Sequence, residues 1–318
     1  MIVYETADFK IEEPTAVTLG NFDGIHLGHQ KLISTVKEYA RRDNLKSVVF
    51  SFYPHPVTVF KTKENFSTML DPREKKFVLN NLGVDILVQY PFTLDFAALS
   101  PREFFDILVE KTHCKVLVVG ENYYFGKDKA GNYKTLQEFG KEKGILVIAI
   151  PPIEVGGERV SSSRVRGLIR NAEMDKVIEL LDKPYFVIGK VADGEKRGRM
   201  MDFPTINVIT SKEKLLPPNG VYLTRVALDG KLYTSMTNVG VCPTFDGHER
   251  RVETHIFDFN EVVYGMDVMI CFYRWLREER GFASAKELKA QLEKDRAVAV
   301  KLSADIKDIE YKFKFNIY

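Results

Sequence analysis

The run Ala16-Val17-Thr18-Leu19-Gly20-Asn21-Phe22-Asp23-Gly24-Ile25-His26-Leu27-Gly28-His29 carries the chain from a strand pattern into a helical one. Ala16–Leu19 is β-branched and apolar, and from Gly28 to Arg42 the apolar positions recur at helical spacing. Gly20, Gly24 and Gly28 let the chain turn tightly and come close to a ligand. At a strand-to-helix junction the first backbone N–H groups are unpaired and the helix dipole is positive, so a phosphate binds readily. His26 and His29 stand three apart, on one side of a helical turn. Two imidazoles there donate hydrogen bonds to phosphate oxygens that gain charge during displacement at phosphorus. The plainer account is a glycine-rich loop with Asp23 as helix cap and two solvated histidines. The strand–helix context favours the phosphate site.

Outward from this junction, short apolar runs alternate with helical patterns as far as Ile150. Strands are expected at Ala16–Leu19, Ser47–Phe52, Asp85–Gln89, Val116–Gly120 and Leu146–Ile150. They are apolar on both faces, as in a covered parallel sheet. Helices are expected at Gly28–Arg42, Pro72–Leu82, Pro101–Thr112 and Tyr133–Lys143. Two open with Asp71-Pro72 and Ser100-Pro101, a cap residue followed by proline at the first helical position. Strand alternating with helix predicts a doubly wound α/β domain with its site at the carboxyl ends of the strands.

Past Asp182-Lys183-Pro184 the rhythm shortens. Tyr185–Val191, Tyr222–Leu228, Leu232–Val239, Val252–Phe259 and Val268–Phe272 read as successive strands joined by turns such as Asp229-Gly230. Strands without intervening helices predict a small antiparallel β-barrel. Ser284 with Glu287 then opens a C-terminal helix at capping-box spacing. Two domains follow, residues 1–182 and 183–318, in line with about 150 residues per domain for a chain of 318.

Composition narrows the function. Lys and Arg number 46 against 44 Asp and Glu, a formal net charge of +2, which argues against a large basic surface for nucleic acid. Three cysteines without a Cys-x-x-Cys pair argue against a disulfide framework or a thiolate zinc site and fit a reducing compartment. The opening MIVYETADFK has no secretory pattern, and no apolar run is long enough to span a membrane. A cytoplasmic protein acting on small molecules is expected.

The segment GNFDGIHLGHQKLI resembles the adenylyltransferase signature of prokaryotic bifunctional riboflavin kinase/FAD synthetases, within the wider His-x-Gly-His nucleotidyltransferases. Further resemblances follow in the family's order. Phe52-Tyr53-Pro54-His55-Pro56 is similar to its Pro-His-Pro loop, and Gly120-Glu121-Asn122-Tyr123-Tyr124-Phe125-Gly126 to its Gly-x-Asn-Phe-x-Phe-Gly segment. Arg159 to Arg166 is similar to its Ser-Ser-Thr-x-Ile-Arg motif, with Ser163 in the threonine place. The resemblance implies an ATP site formed by Gly20, Asn21, Phe22, Asp23, Gly24, Gly28, Asn122, Arg159, Ser162, Ser163 and Arg166 beside catalytic His26 and His29. It also implies flavin contacts at His55, Pro56, Tyr123 and Phe125, with Mg2+ arriving on the nucleotide. FMN and ATP would give FAD and pyrophosphate.

In the second domain Arg197-Gly198-Arg199, followed by Phe203-Pro204-Thr205-Ile206-Asn207, resembles the flavokinase signature. Asn238-Val239-Gly240 with Pro243-Thr244-Phe245 continues it, and Glu253 matches the base that acts on the riboflavin 5′-hydroxyl. Thr205 and Asn207 would place Mg2+ and the ATP phosphates. One position departs: Asp202 stands where the family has glycine before Phe-Pro-Thr. A Cβ and a negative charge near a polyphosphate predict a kinase weakened or lost. The intact Thr205, Asn207 and Glu253 predict instead a fully bifunctional enzyme. A non-catalytic flavin- or nucleotide-binding protein is the third reading, and both histidines stand against it.

Overall fold

Strands apolar on both faces need cover on both sides, and the first half of the chain pairs them in parallel as that need requires. The computed structural model of the protein describes residues 1–61, 66–192, 203–244 and 247–306. The chain divides into two units, Met1–Thr68 with Lys75–Ser161, and Met69–Glu74 with Ser162–Tyr318.

In the first unit six strands, β1 (Ile2–Tyr4), β2 (Thr15–Leu19), β3 (Lys46–Tyr53), β4 (Ile86–Pro91), β5 (Cys114–Gly120) and β6 (Leu146–Ile150), form one sheet. Their order is β1-β4-β3-β2-β5-β6, and every pairing is parallel. From β2 the chain steps through β3 and β4 to one side, then crosses back to β5 and β6 on the other. The direction therefore reverses between β2 and β5, the kind of switch point at whose carboxyl ends open α/β sheets bind ligands. Helices α1 (Leu27–Arg42), α2 (Pro72–Asn81), α3 (Pro101–Thr112) and α4 (Tyr133–Lys143) make the connections. The expected cap of α3 at Ser100 is present, and it forms a full capping box: the Glu103 N–H donates to Ser100 Oγ and the Ser100 N–H to the Glu103 carboxylate. Proline at the first helical position removes one donor that needs no partner there. The core is rich in aromatics, with Phe50 stacked on Tyr90 at 5.5 Å and Phe104, Phe105 and Leu117 fully enclosed around them.

In the second unit β7 (Tyr185–Ala192), β8 (Ile206–Ile209), β9 (Gly220–Leu228), β10 (Lys231–Thr244), β11 (Gly247–Ile256) and β12 (Asp267–Arg277) close a barrel. The order is β7-β8-β11-β10-β9-β12 with antiparallel neighbours throughout, so no edge is left unpaired. Helices α5 (Ser162–Arg170), α6 (Met174–Leu181) and the C-terminal α7 (Ala285–Asp305) accompany it. Ser235, Thr224, Thr237 and Thr254 form a buried chain of hydroxyls at 2.7–2.8 Å across β9, β10 and β11. Glu74 and Lys214 meet at 2.7 Å, each side chain 1% exposed. The Ile188 and Asp71 N–H groups donate to the two Glu74 oxygens, so the buried carboxylate is satisfied on both. Burial pushes this carboxyl up to about 7, while Lys214 pulls it back down.

Short elements escape the sequence pattern, among them β1, β8, α6 and the four-residue helices Pro56–Val59 and Leu94–Ala97. The strands β1 and β8 have three and four residues, too few for a period to declare itself. Among the described residues no helix is long and apolar enough to cross a membrane.

Candidate active sites

The loop after β2 lies at the reversal of the sheet. Its histidines are arranged differently from the expected helical pair. His26 precedes the helix as its N-cap, in extended backbone, and its Nδ1 accepts the His29 N–H at 3.4 Å. Asp23 is not the cap, and His26, 7% exposed, is not a solvated histidine. With Nδ1 accepting, a neutral His26 ring carries its proton on Nε2 as a donor. The two imidazoles stack at 3.8 Å with 15° between their planes, and the Phe22 ring stands 5.1 Å from His29. Gly28 leaves room for this: a Cβ there would meet two atoms of the His26 ring at 3.2 Å. Residues 22–25 of the loop are buried, with Gly20, Asn21 and Gly28 half-buried around them.

Behind the loop lies a residue that sequence reasoning missed. Lys75 of α2, 7% exposed, donates to the Asn21 carbonyl at 2.8 Å and to Ser51 Oγ at 3.1 Å. No motif announces it, because Arg73-Glu74-Lys75-Lys76 reads as an ordinary solvated helix turn.

The other expected residues of the first site are placed as follows. Asn122 is exposed just beyond β5, and Arg159 is exposed on a short bridge opposite Glu154. Tyr123 is half-buried and stacks at 5.9 Å on Phe125. Phe125 itself is a core residue, 6% exposed and 5.4 Å from Phe104. Burial pushes the Tyr123 phenol well above its ordinary range. His55 caps the short helix Pro56–Val59, taking the Val57 N–H on Nδ1 at 3.2 Å, and faces Phe66 at 4.6 Å. Ser162, Ser163 and Arg166 belong to the second unit, in α5. That helix begins with two hydroxyls and no acidic side chain in its first turn, which suits an anion. Arg166 is buried, at 8% exposure.

In the barrel, Asn207 on β8 registers opposite Glu253 on β11, and Glu253 opposite Asn238 on β10. Directly opposed side chains lie about 5 Å apart, so three polar groups form a row across three strands. Val252 and Thr254, which flank Glu253, are buried, whereas Glu253 itself is half-buried. Asn238 donates to Glu279 Oε1 at 3.2 Å. Thr205 is exposed, two residues before Asn207. His255, two residues after Glu253, donates from Nδ1 to the Pro204 carbonyl at 2.8 Å, with Phe203 5.0 Å from its ring. Burial holds this imidazole below the usual histidine range. Arg197, Gly198, Arg199 and Asp202 lie outside the described residues.

Two family models match in this order: FAD synthetase over residues 8–164 and riboflavin kinase over residues 181–303. The bifunctional riboflavin kinase/FMN adenylyltransferase of Bacillus subtilis is 34% identical, covering 92% of this chain and 94% of the relative. This chain belongs to that family. The Escherichia coli K12 family member is also 34% identical, covering 91% of this chain and 92% of its own length. The crystal structure of a macrolide-efflux protein from Streptococcus pneumoniae superposes with a TM-score of 0.86 at 33% identity, covering 94% of this chain and 99% of that one. The family's two parts correspond to the parallel-sheet unit and the barrel, and the histidine loop and the Asn207–Glu253–Asn238 row fall inside the respective matches.

Proposed function

We propose that this chain transfers the adenylyl group of ATP to FMN, giving FAD and pyrophosphate, and also phosphorylates riboflavin to FMN. The first reaction is assigned to residues 1–182 and the second to residues 183–318. The observation that carries the first assignment is the stacked His26–His29 pair at the reversal of the parallel sheet. A phosphate oxygen of FMN attacks the α-phosphorus of ATP, and the bond from that phosphorus to pyrophosphate breaks as the new one forms. No covalent enzyme intermediate is needed, because positioning and charge stabilisation suffice. His26, through Nε2–H, and His29 donate to the reacting phosphate. The backbone of Gly20 to Gly24 and Gly28 lets the nucleotide approach closely. Asn122, Arg159, Ser162, Ser163 and Arg166 are assigned to the rest of the triphosphate. His55, Pro56 and Tyr123 are assigned to the flavin, with Phe125 acting from the core by supporting Tyr123. We place these reactions in the cytoplasm, on the cysteine pattern.

In the barrel Glu253 accepts the proton of the riboflavin 5′-hydroxyl as its oxygen attacks the γ-phosphorus and ADP leaves. Thr205 and Asn207, with Arg197, Gly198 and Arg199, take the ATP phosphates. Mg2+ fits this donor set: the hydroxyl of Thr205 and the amide oxygen of Asn207 are hard ligands, and the ion keeps several waters when it arrives on a nucleotide. Among the described residues no group of three or more His, Cys, Asp or Glu forms a resident metal cage. When bound, Mg2+ neutralises charge on the phosphates.

Asp202 favours a slower second reaction. If its carboxylate lies within a few ångströms of the polyphosphate, repulsion of about 1–4 kcal/mol weakens ATP binding by roughly one to three orders of magnitude. The deciding assay supplies purified protein and Mg2+-ATP with FMN or with riboflavin and separates the three flavins by chromatography. FAD and pyrophosphate are expected from FMN, and slow FMN formation from riboflavin. Absence of FAD rejects the adenylyl assignment. Riboflavin turnover as fast as FMN turnover removes the weakened kinase and leaves full bifunctionality.

A further inference from the structure

The loop that carries the two histidines has a costly backbone. Phe22 has φ +48°, Gly24 +85° and Ile25 +47°, all in the left-handed region. Glycine adopts it freely, but for L-residues with a Cβ it costs about 1–2 kcal/mol each, and a β-branched isoleucine is rarely found there. Such a course persists only where neighbours over-determine it. Phe22 and Ile25 are both fully buried, and Gln30 Nε2 donates to the Ile25 carbonyl at 3.0 Å, which secures the far half of the loop. In the near half the Gly20 N–H donates to the Phe50 carbonyl at 3.2 Å, and the Asn21 carbonyl is a second anchor. The Asn21 carbonyl accepts from Lys75 Nζ at 2.8 Å and from Ser51 Oγ at 3.1 Å, while Lys75 also donates to that hydroxyl.

We propose that Lys75 is a positioning residue for adenylyl transfer, fixing the Asn21–Phe22 peptide so that the two imidazoles stand side by side to receive phosphate. This rests on the adenylyl reading above. A trans peptide is planar, so pinning the Asn21 carbonyl also fixes the direction of the Phe22 N–H on its other side. That peptide starts the left-handed turn at Phe22, whose ring stands 5.1 Å from His29, itself stacked on His26. The lysine is poorly suited to be mere filling. Desolvation of its ammonium disfavours the charged form and outweighs the pull of the nearby Asp23 in the other direction. A methionine of similar length fills the same space without that cost.

The test compares wild type with Lys75→Met in FAD formation from FMN and Mg2+-ATP, with thermal unfolding and the imidazole signals of His26 and His29 followed by NMR. Displacement of reacting groups by about 1 Å costs on the order of 100-fold, so kcat should fall roughly 30- to 100-fold. KM for FMN should change far less. Thermal stability should be unchanged or higher, and the imidazole signals should shift as the stack loosens. Lys75→Arg, which keeps the donor, should recover part of kcat. A Lys75→Met protein with kcat within threefold of wild type overturns the proposal, as does parallel loss of kcat and stability with unmoved imidazole signals. If Lys75→Met does not fold, Lys75→Gln, whose amide falls short of the Asn21 carbonyl, carries the test and must show the same kcat loss. Failure of wild type to form FAD would instead reject the underlying function, before any variant is compared.

Discussion

Two backbone carbonyls beside the proposed sites are held by buried basic side chains, and the two cases differ in how much depends on the holder. In the α/β unit Lys75 takes the Asn21 carbonyl, and in the barrel His255 takes the Pro204 carbonyl, both at 2.8 Å. Downstream of Pro204 the chain enters β8, where Asn207 pairs with Ala192 on one side and Glu253 on the other. A ladder on both sides fixes that segment whether or not the histidine contributes. Downstream of Asn21 the chain is not in a strand ladder but in a left-handed turn, in which side chains of Lys75, Ser51 and Gln30 take backbone carbonyls. Phosphate chemistry on a loop therefore depends on its supports in a way that chemistry on a strand does not.

The largest expected effect tests whether the loop's histidines are the chemistry at all. Changing His26 and His29 together to alanine should lower FAD formation by at least about 1,000-fold, since each removed donor to developing charge costs roughly 100-fold or more. Riboflavin phosphorylation should be retained in the same protein, which separates loss of a site from loss of the fold. Retained FAD synthesis would end the comparison, because the loop would then hold no catalytic group.

A second expectation concerns the cost of burying Lys75, whose ionisation burial pulls down to about 8. In the unfolded chain a lysine titrates near 10.4. Between those values the unfolded state binds a proton that the folded state has released, so stability rises with pH. Wild type should therefore gain about 2–3 kcal/mol relative to Lys75→Met between pH 7 and pH 10, and denaturant unfolding at several pH values measures it. Lys183, also depressed by burial, is present in both proteins and cancels. A difference that stays flat with pH would mean that Lys75 is solvated, and would remove the main contrast with a structural filler.

How much of this was legible differs between the two regions for the same physical reason. The parallel strands were readable because burial on both faces leaves unbroken apolar runs such as Val48-Val49-Phe50. The turn between β2 and α1 was readable because Gly20, Gly24 and Gly28 stand where a strand pattern gives way to a helical one, and Gly24 takes φ +85° there. His26 as the helix cap was not readable, since histidine is an uncommon cap residue. Lys75 was invisible because its partner is 54 residues away in sequence. His255 stands two residues from Glu253, yet its contact to Pro204 spans 51 residues and depends on barrel closure. Local pattern announces what local structure requires; supports reached through tertiary packing leave no such trace.

The sequence of the barrel offers one sharper test of its own site. Asp202→Gly restores the residue that the family resemblance leads one to expect before Phe203-Pro204-Thr205. Riboflavin kinase kcat/KM should rise about tenfold or more, mainly through a lower KM for ATP, as removal of about 1.4 kcal/mol of repulsion requires. FAD formation should not move. An unchanged KM for ATP would show that the aspartate points away from the phosphates.

The smallest effect is expected at the other end of the same segment. His255→Asn removes the imidazole that donates to Pro204 and packs beside Phe203, but leaves the β8 ladder intact. The net worth of one hydrogen bond is about 0.5–1.5 kcal/mol, so kinase kcat/KM should fall only about two- to tenfold. Because burial holds His255 neutral through the physiological range, its contribution should vary little from pH 7 to pH 8. If this substitution costs as much as Lys75→Met costs the adenylyl reaction, then strand pairing does not relieve a carbonyl anchor. The distinction between loop and ladder would then be wrong, and the sensitivity of both sites would have to be sought in burial alone.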